Sequence, residues 1–332
     1  MTTALITGAS GFVGANLVEA VTAHGWTARA LHRKSSSLKA LAGLQYQSAI
    51  GDILDPASLH TAMQGVDVVF HVAAVADYWR SAKDKMLAAN VDGTRHVLAA
   101  AQANGVQRVV FTSSVAALGQ PAFGQAIDEN AQFNLHPNQF IYGYSKVLAE
   151  QVVAEFVANG LEVVTVNPAV VTGPRDVNLG SGSLVLQMHK TGIPICPQGG
   201  VCVVDVADVC AAHIAAAERG RVGQRYILGG ENLWYRDLLA ILANVLGRRP
   251  PLLSVPAPLM RWLAALVDVA RDRLKLNLPV SGDQLRYTNQ TFWFDSSKAQ
   301  RELGLTIRPY AESAQRTLDW YRDNNYLIKD KG

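Results

Sequence analysis

Hydrophobic and polar positions alternate between two periods along the first half of the chain. Short apolar runs at 4–7, 27–32, 45–49, 67–72 and 108–113 read as strands. Between them the spacing turns helical. Residues 11–24 place Val13, Leu17, Ala20 and Val21 on one face; a short helix surrounds Ala40; residues 56–63 form a helix that Asp55 can cap; and 85–104 predicts a long one. A further helix is predicted over 143–158 and a further strand over 162–166. Strand and helix alternating at this pitch predict right-handed crossovers, hence an α/β fold with a doubly wound parallel sheet and helices on both faces. No internal repeat of solenoid period is present.

The pattern changes after Asn167-Pro168. Gly and Pro are dense between 173 and 202, with Gly173, Pro174, Gly180, Gly182, Gly192 and Pro194 among them. Regular periods return at 206–217 (helix), 225–228 (strand), 234–246 and 256–270 (helices), 291–294 (strand) and 313–324 (helix). The expected division is a sheet domain over 1–172, completed by parts of 201–230, and a smaller lobe over most of 173–332, interleaved with the first. In the 256–270 helix, Leu259, Leu263, Leu266, Val267 and Ala270 repeat at helical spacing, broken by Arg261 and Asp268. No run reaches the roughly 18 apolar residues of a membrane span. This stripe is expected to face core or ligand rather than a membrane interface.

Composition narrows the classes. The 332 residues are 49 % hydrophobic and 17 % charged, which suits a compact fold and excludes a disordered chain. A net charge of +3 without a Lys/Arg-rich run excludes nucleic acid as the expected partner. Cys196, Cys202 and Cys210 lack C-x-x-C spacing, so neither a disulfide framework nor a metal site is expected. No basic n-region precedes the strand-like residues from position 4, so a cytoplasmic protein without a signal peptide is expected.

Chemistry enters directly behind the first strand, at Thr7-Gly8-Ala9-Ser10-Gly11-Phe12-Val13-Gly14. Gly8 permits a tight turn, Gly11 a close approach of backbone to pyrophosphate, and Gly14 close packing of helix on sheet. The helix N-terminus then points its N–H groups at phosphate. This is the cradle of a dinucleotide, with Ser10, Phe12 and Val13 beside the glycines. An acidic residue normally meets the adenosine ribose about 20 residues further on. Here residues 21–51 contain no Asp or Glu, and the second strand ends in His32-Arg33-Lys34-Ser35. A guanidinium and a hydroxyl suit a 2′-phosphate, so NADP(H) is expected over NAD(H), with Arg33 as the main contact and Lys34 or Ser35 assisting. Asp52 and Ile53 are expected at the adenine. Ala73 and Ala74 are expected where backbone passes the cofactor, and His71 reads as a packed strand-end histidine.

At Tyr142-Gly143-Tyr144-Ser145-Lys146, a phenol and an ammonium four residues apart share one helical face. A phenol is a poor acid–base at neutral pH, and a neighbouring ammonium and a nicotinamide cation favour its ionised form. Lys146 is also expected to reach the nicotinamide ribose. The fifth strand ends in Thr112-Ser113-Ser114, at the carboxyl edge where such sheets bind ligands. Ser114 is the expected substrate-orienting hydroxyl, with Ser113 the alternative.

These elements resemble the extended short-chain dehydrogenase/reductase family, a Rossmann fold. So do Asn90-Val91-Asp92-Gly93-Thr94, Pro168-Ala169-Val170-Val171-Thr172-Gly173-Pro174, Val204-Asp205-Val206-Ala207-Asp208-Val209 and Asp295-Ser296-Ser297-Lys298-Ala299-Gln300-Arg301-Glu302-Leu303-Gly304. The resemblance implies Ser114, Tyr142 and Lys146 as catalytic, Asn90 in a proton-relay-like role, and Pro168 and Val171 at the cofactor. Phe70-His71-Val72-Ala73 and Phe111-Thr112-Ser113-Ser114-Val115-Ala116-Ala117 look most like the dihydroflavonol reductase branch, which adjoins 3β-hydroxysteroid dehydrogenase-like proteins. The expected activity is NADP(H)-dependent reduction of an aldehyde or ketone, or oxidation of the matching alcohol, with Tyr142 as acid and base. Tyr78, Trp79, Phe140, Leu186, Met188, Trp262 and Leu263 suggest a lipophilic or aromatic substrate, with Tyr78 and Met188 touching it beside Ser114 and Tyr142. A nucleotide-sugar epimerase or dehydratase with retained NAD is the alternative, supported by Arg175, Lys190, Arg248 and Arg249. A non-catalytic NADP-binding sensor is a second alternative, though it has no need of Tyr142 or Lys146. The helices over 85–104 and 143–158 leave monomer and homodimer open.

Overall fold

The computed structural model describes residues 1–76, 83–272 and 282–327. Its first half runs β1 (Thr3–Thr7), α1 (Phe12–Ala23), β2 (Thr27–His32), β3 (Gln47–Ile50), α2 (Pro56–Ala62), β4 (Val68–His71), α3 (Lys83–Leu87), α4 (Gly93–Ala103), β5 (Arg108–Thr112), β6 (Ala126–Ile127), α5 (Ile141–Ala158) and β7 (Val163–Pro168). The second half runs β8 (Val170–Thr172), α6 (Ser183–Thr191), β9 (Ile195–Pro197), β10 (Gly200–Asp205), α7 (Val206–Arg219), β11 (Arg225–Leu228), β12 (Glu231–Trp234), α8 (Tyr235–Val245), β13 (Leu253–Val255), α9 (Ala257–Asp272), α10 (Gly282–Tyr287), β14 (Thr291–Phe294), α11 (Ser297–Leu303) and α12 (Tyr310–Asp323).

Seven parallel strands form the central sheet in the order β11-β7-β5-β4-β1-β2-β3. Successive side chains on a strand point to opposite faces, and here both faces are covered, so the strands are apolar throughout. Ala4 and Ile6 of β1, Phe70 of β4 and Val164 of β7 join the core beneath α1 and α7. Leu5, Val69 and Val163, their neighbours in sequence, join the opposite core with Leu98 of α4 and Val152 of α5. This is a Rossmann-type doubly wound sheet whose strands all end toward the same edge. The order reverses between β1 and β4, and that is where such sheets take ligands.

The helix expected over 85–104 is not continuous. Residues Ala88–Asp92 form a π turn between α3 and α4. The extra residue per turn brings Asn90 inward, where its Oδ1 accepts the Val75 N–H at 2.7 Å and its Nδ2 donates to the Val75 carbonyl at 3.0 Å.

The chain past β7 splits between two tasks. Helix α7 packs on α1 and β11 extends the central sheet, whereas β10 joins β8, β12, β14 and β6 in a second sheet. The lobe has its own core, in which Met188, Leu242, Tyr310 and Tyr321 are buried. Asp205 fastens lobe to sheet, capping α7 through Ala207 and taking Arg308 at 3.1 Å and Arg316 at 2.7 Å. Helix α9 departs from expectation: Met260 and Ala264 face inward, while Leu259 and Leu266 are exposed. The helix has more apolar positions than one face holds, and the smaller pair packs inward. Among the described residues, no helix is long and apolar enough to cross a membrane.

Candidate active site

The turn after β1 is built for close approach. Gly8 has φ +66°, and a Cβ there would lie 2.8 Å from Ala73 Cα. A Cβ on Gly14 would lie 2.2 Å from the Gly8 carbonyl oxygen. Gly11 N–H donates to that same oxygen at 2.9 Å and serves as N-cap of α1 with no side-chain cap, so the first N–H groups of the helix stay directed at the turn. Ser10 sits in the turn, and Phe12 and Val13 open the helix. The residues present fit the pyrophosphate of a dinucleotide.

A hydrogen-bonded chain fixes this turn against β4. The Thr7 hydroxyl accepts the Val72 and Ala73 N–H groups at 3.1 Å each, so its own hydrogen goes to His71 Nδ1 at 2.8 Å. His71 Nε2 then carries the ring proton and donates to Thr94 at 3.0 Å, and the Thr94 hydroxyl donates to the Asn90 carbonyl at 2.7 Å. Burial, with Lys146 assisting, lowers the His71 pKa to about 3. His71 is neutral and fully committed, a packed strand-end histidine.

Beyond β2, Arg33, Lys34 and Ser35 line a cleft of about 510 Å³ with Asp52 and Ser58. The acids of this cleft serve backbone: Asp52 accepts the Leu54 N–H at 3.0 Å, and Asp55 caps α2. Ile53 is not among the residues lining this cleft; it packs so tightly on α4 that a Cβ on Gly93 would lie 2.7 Å from its Cδ1.

The proton-transfer group assembles at the carboxyl edge. Helix α5 begins at Ile141, two residues before the expected start, so Tyr142 and Lys146 are both helical and share its buried face. The Ser114 hydroxyl hydrogen-bonds the Tyr142 phenol and accepts the Ala116 N–H at 3.2 Å. Burial raises the Tyr142 pKa, opposed by the Ser114 bond, so the group is a phenol at neutral pH. Lys146 donates to the Thr112 carbonyl at 2.9 Å. Burial lowers its pKa to about 8, and Glu150 opposes that shift.

Ser113 is turned elsewhere, donating to Glu150 Oε1 at 2.5 Å. The same oxygen accepts the Asn167 amide at 2.8 Å, and Arg225 holds the other at 3.2 Å. Glu150 and Asn167 are absent from the sequence-based site. The available signal was a carboxylate one turn beyond Lys146 on the same helical face.

Other expected residues are placed differently. Asn90 commits both amide hydrogens, one to Val75 and one to the Ser145 hydroxyl at 2.9 Å, and Ser145 donates to the Tyr142 carbonyl at 2.7 Å. These bonds clamp the first turn of α5. Met188 is wholly buried in the lobe core, and Leu186 packs against that core. Trp262 lies on an outer face, 60 % exposed. Tyr78 and Trp79 lie outside the described residues. Pro168 ends β7 at the same edge as Thr112, while Val171 pairs with Val204 in the second sheet. The wall around Tyr142 is made by Phe140, one of the expected lining residues, with Met86 and Ala116, and Val75, Phe133 and Tyr287 lie against them. Of the basic residues considered for a sugar nucleotide, Arg175 binds Glu19 and the Ala40 and Ala42 carbonyls, and Arg248 binds the His189 carbonyl.

This combination of cradle, clamped turn and tyrosine–lysine helix defines a class. The chain belongs to the NAD dependent epimerase/dehydratase family, whose model matches residues 4–229, within the extended short-chain dehydrogenase/reductases. It is an NAD(P)-dependent oxidoreductase of that type. A protein of Synechocystis sp. provisionally named dihydroflavonol 4-reductase is 35 % identical over 327 residues, covering 97 % of this chain and 95 % of that one. Sterol demethylase protein B of Methylococcus capsulatus is 31 % identical over 328 residues, covering 98 % and 100 %. The crystal structure of gox2253 superposes with a TM-score of 0.87 at 32 % identity, covering 99 % of this chain and 100 % of that one.

Proposed function

We propose that this protein reduces an aldehyde or ketone carried on a lipophilic or aromatic molecule, or oxidises the matching alcohol, using NADP(H). One observation carries the reading: the Tyr142 phenol is hydrogen-bonded to Ser114 against an apolar wall of Met86, Phe140 and Tyr287. The bound nicotinamide supplies or accepts the hydride. Ser114 holds the substrate oxygen. Tyr142, kept protonated by burial, delivers the proton to that oxygen in reduction and takes it back in oxidation. The Lys146 ammonium favours the phenolate that results. Asn90 and Ser145 fix the Tyr142 backbone so that the phenol does not have to be ordered during the reaction. Preference for the 2′-phosphate is supported by Arg33, Lys34 and Ser35 around one cleft.

A cytoplasmic location belongs to this reading, supported by three buried free thiols. Monomer and homodimer are both compatible with it, because each proposed group comes from one chain. The test is loss of NADPH absorbance with a panel of aliphatic and aromatic aldehydes and ketones, in wild type and Tyr142→Phe. Turnover abolished by the substitution supports the reading. Tightly retained NAD, no net oxidation and conversion of a sugar nucleotide would replace it with epimerisation.

A further inference from the structure

Helix α9 turns a row of large apolar side chains outward. Leu259, Trp262, Leu266 and Val269 are 48, 60, 47 and 47 % exposed. They fall at i, i+3, i+7 and i+10, one above another along a single face. Before the helix, Leu252 and Leu253, the second of which opens β13, are 80 and 68 % exposed. Isolated exposed leucines are ordinary, but a row at helical spacing that includes a tryptophan marks a binding face.

Charge says what that face meets. Residues 238–267 contain no Asp or Glu. Arg248 and Arg249 stand exposed just before the leucine pair, and Arg261 is exposed beside the stripe. In a two-fold contact this patch would meet itself and bring arginine toward arginine, while Asp268, the acid on α9 beside the stripe, is already held by Arg286. An anionic lipid surface satisfies both parts, acyl chains taking the leucines and tryptophan, and phosphates taking the arginines.

We propose that α9, with the Leu252–Leu253 pair that precedes it in sequence, forms a docking face for an anionic bilayer, with Trp262 and Leu266 entering the headgroup–acyl boundary. The face connects to the site. The Asp268 carboxylate accepts Arg286 at 2.6 Å and the Gly282 N–H at 3.1 Å, tying α9 to α10. Tyr287, the last residue of α10, stacks on Phe292 with centroids 4.0 Å apart and packs against Phe140 at 5.7 Å. Docking therefore sets the wall of the active site against the membrane from which a lipid-dissolved substrate would arrive. That consequence rests on the proposed lipophilic substrate; the docking itself does not.

The experiment is co-sedimentation of the full chain with vesicles of phosphatidylcholine, with and without phosphatidylglycerol, beside Leu266→Glu. Wild type is expected to bind the anionic vesicles about tenfold more tightly than Leu266→Glu, and to lose binding as salt rises. Turnover of a water-soluble carbonyl should be equal in the two. Anionic vesicles should also shift wild-type tryptophan emission to the blue, with the shift much reduced in Trp262→Phe, a readout that survives any misfolding of the charge variant. Wild type remaining in the supernatant at low salt overturns the proposal, as does equal emission shift in Trp262→Phe. So does a wild-type dimer that Leu266→Glu converts to monomer, since the face would then be a subunit contact. Absence of turnover with every carbonyl tested, with vesicle binding intact, would strike the catalytic reading and leave docking standing.

Discussion

Glu150 accepts the Ser113 hydroxyl at 2.5 Å, one helical turn beyond Lys146. That bond removes Ser113 from the substrate side and leaves Ser114 as the serine paired with Tyr142. It also holds a negative charge beside the buried ammonium. Lys146 sits where burial pulls its pKa to about 8, and Glu150 is the opposing influence.

Glu150→Gln keeps an acceptor for Ser113 but deletes the charge. A base loses its proton more easily when an adjacent anion is removed. The Lys146 pKa should therefore fall further, and the alkaline limb of kcat/KM should move to lower pH. A pH–rate profile checks this. An unmoved limb would separate Lys146 from the titration.

Tyr142→Phe should lower kcat by about 10²–10⁴-fold, the usual worth of a positioned acid–base. NADPH binding, read by fluorescence, should stay within a few-fold of wild type, because the cradle comes from β1, α1 and β4 rather than α5. Ser114→Ala should follow the same pattern. Ser113→Ala should leave kcat nearly unchanged and lower the melting temperature, since it removes a partner of Glu150. Equal kcat losses at both serines would contradict the division of roles.

Much of this site was legible because its parts are local. The glycine turn joins two consecutive elements, β1 and α1, and the Tyr142–Lys146 pair lies within one, so spacing along the sequence fixes their sides. The strands were legible for a similar reason: a sheet covered on both faces leaves continuous apolar runs. What escaped depends on distant partners. Asn90 turns inward through a π turn whose cause is Val75 and Ser145, fifteen and fifty-five residues away in sequence. Glu150 takes its meaning from Ser113, Asn167 and Arg225 on three different strand ends. Met188 and the α9 stripe failed differently. Helical periodicity identifies an apolar face but not what covers it: it points Met188 toward ligand where the lobe core takes it, and points the stripe over 259–270 toward core or ligand where Leu259 and Leu266 are exposed and Leu263, Val267 and Ala270 half-buried.

Arg33→Ala should raise KM for NADPH roughly ten- to a hundredfold, the worth of one charge-assisted contact to phosphate. KM for NADH should barely change, because no 2′-phosphate is there to lose a partner. Steady-state kinetics with both cofactors checks this. Parallel losses for both would make Arg33 a structural residue of the cleft rather than a reader of the phosphate.

His71 and His213 make the folded state sensitive to acid. Both are fully buried: burial with Lys146 takes His71 to about 3, and burial takes His213 to about 4 against a Val209 carbonyl that raises it. In the unfolded chain each titrates near 6.5. Between those values the unfolded state binds more protons than the native state, so stability increases with pH up to about 6.5 and declines below it. At pH 5 each histidine should withdraw about 2 kcal/mol relative to pH 7 or above. Urea unfolding at pH 7 and pH 5 measures the loss. His213→Gln, which keeps a donor for the Val209 carbonyl and an acceptor for Thr112, removes one of the two protons and should reduce the difference by roughly half. A variant losing as much as wild type over the same interval would mean that His213 is not held neutral by its burial.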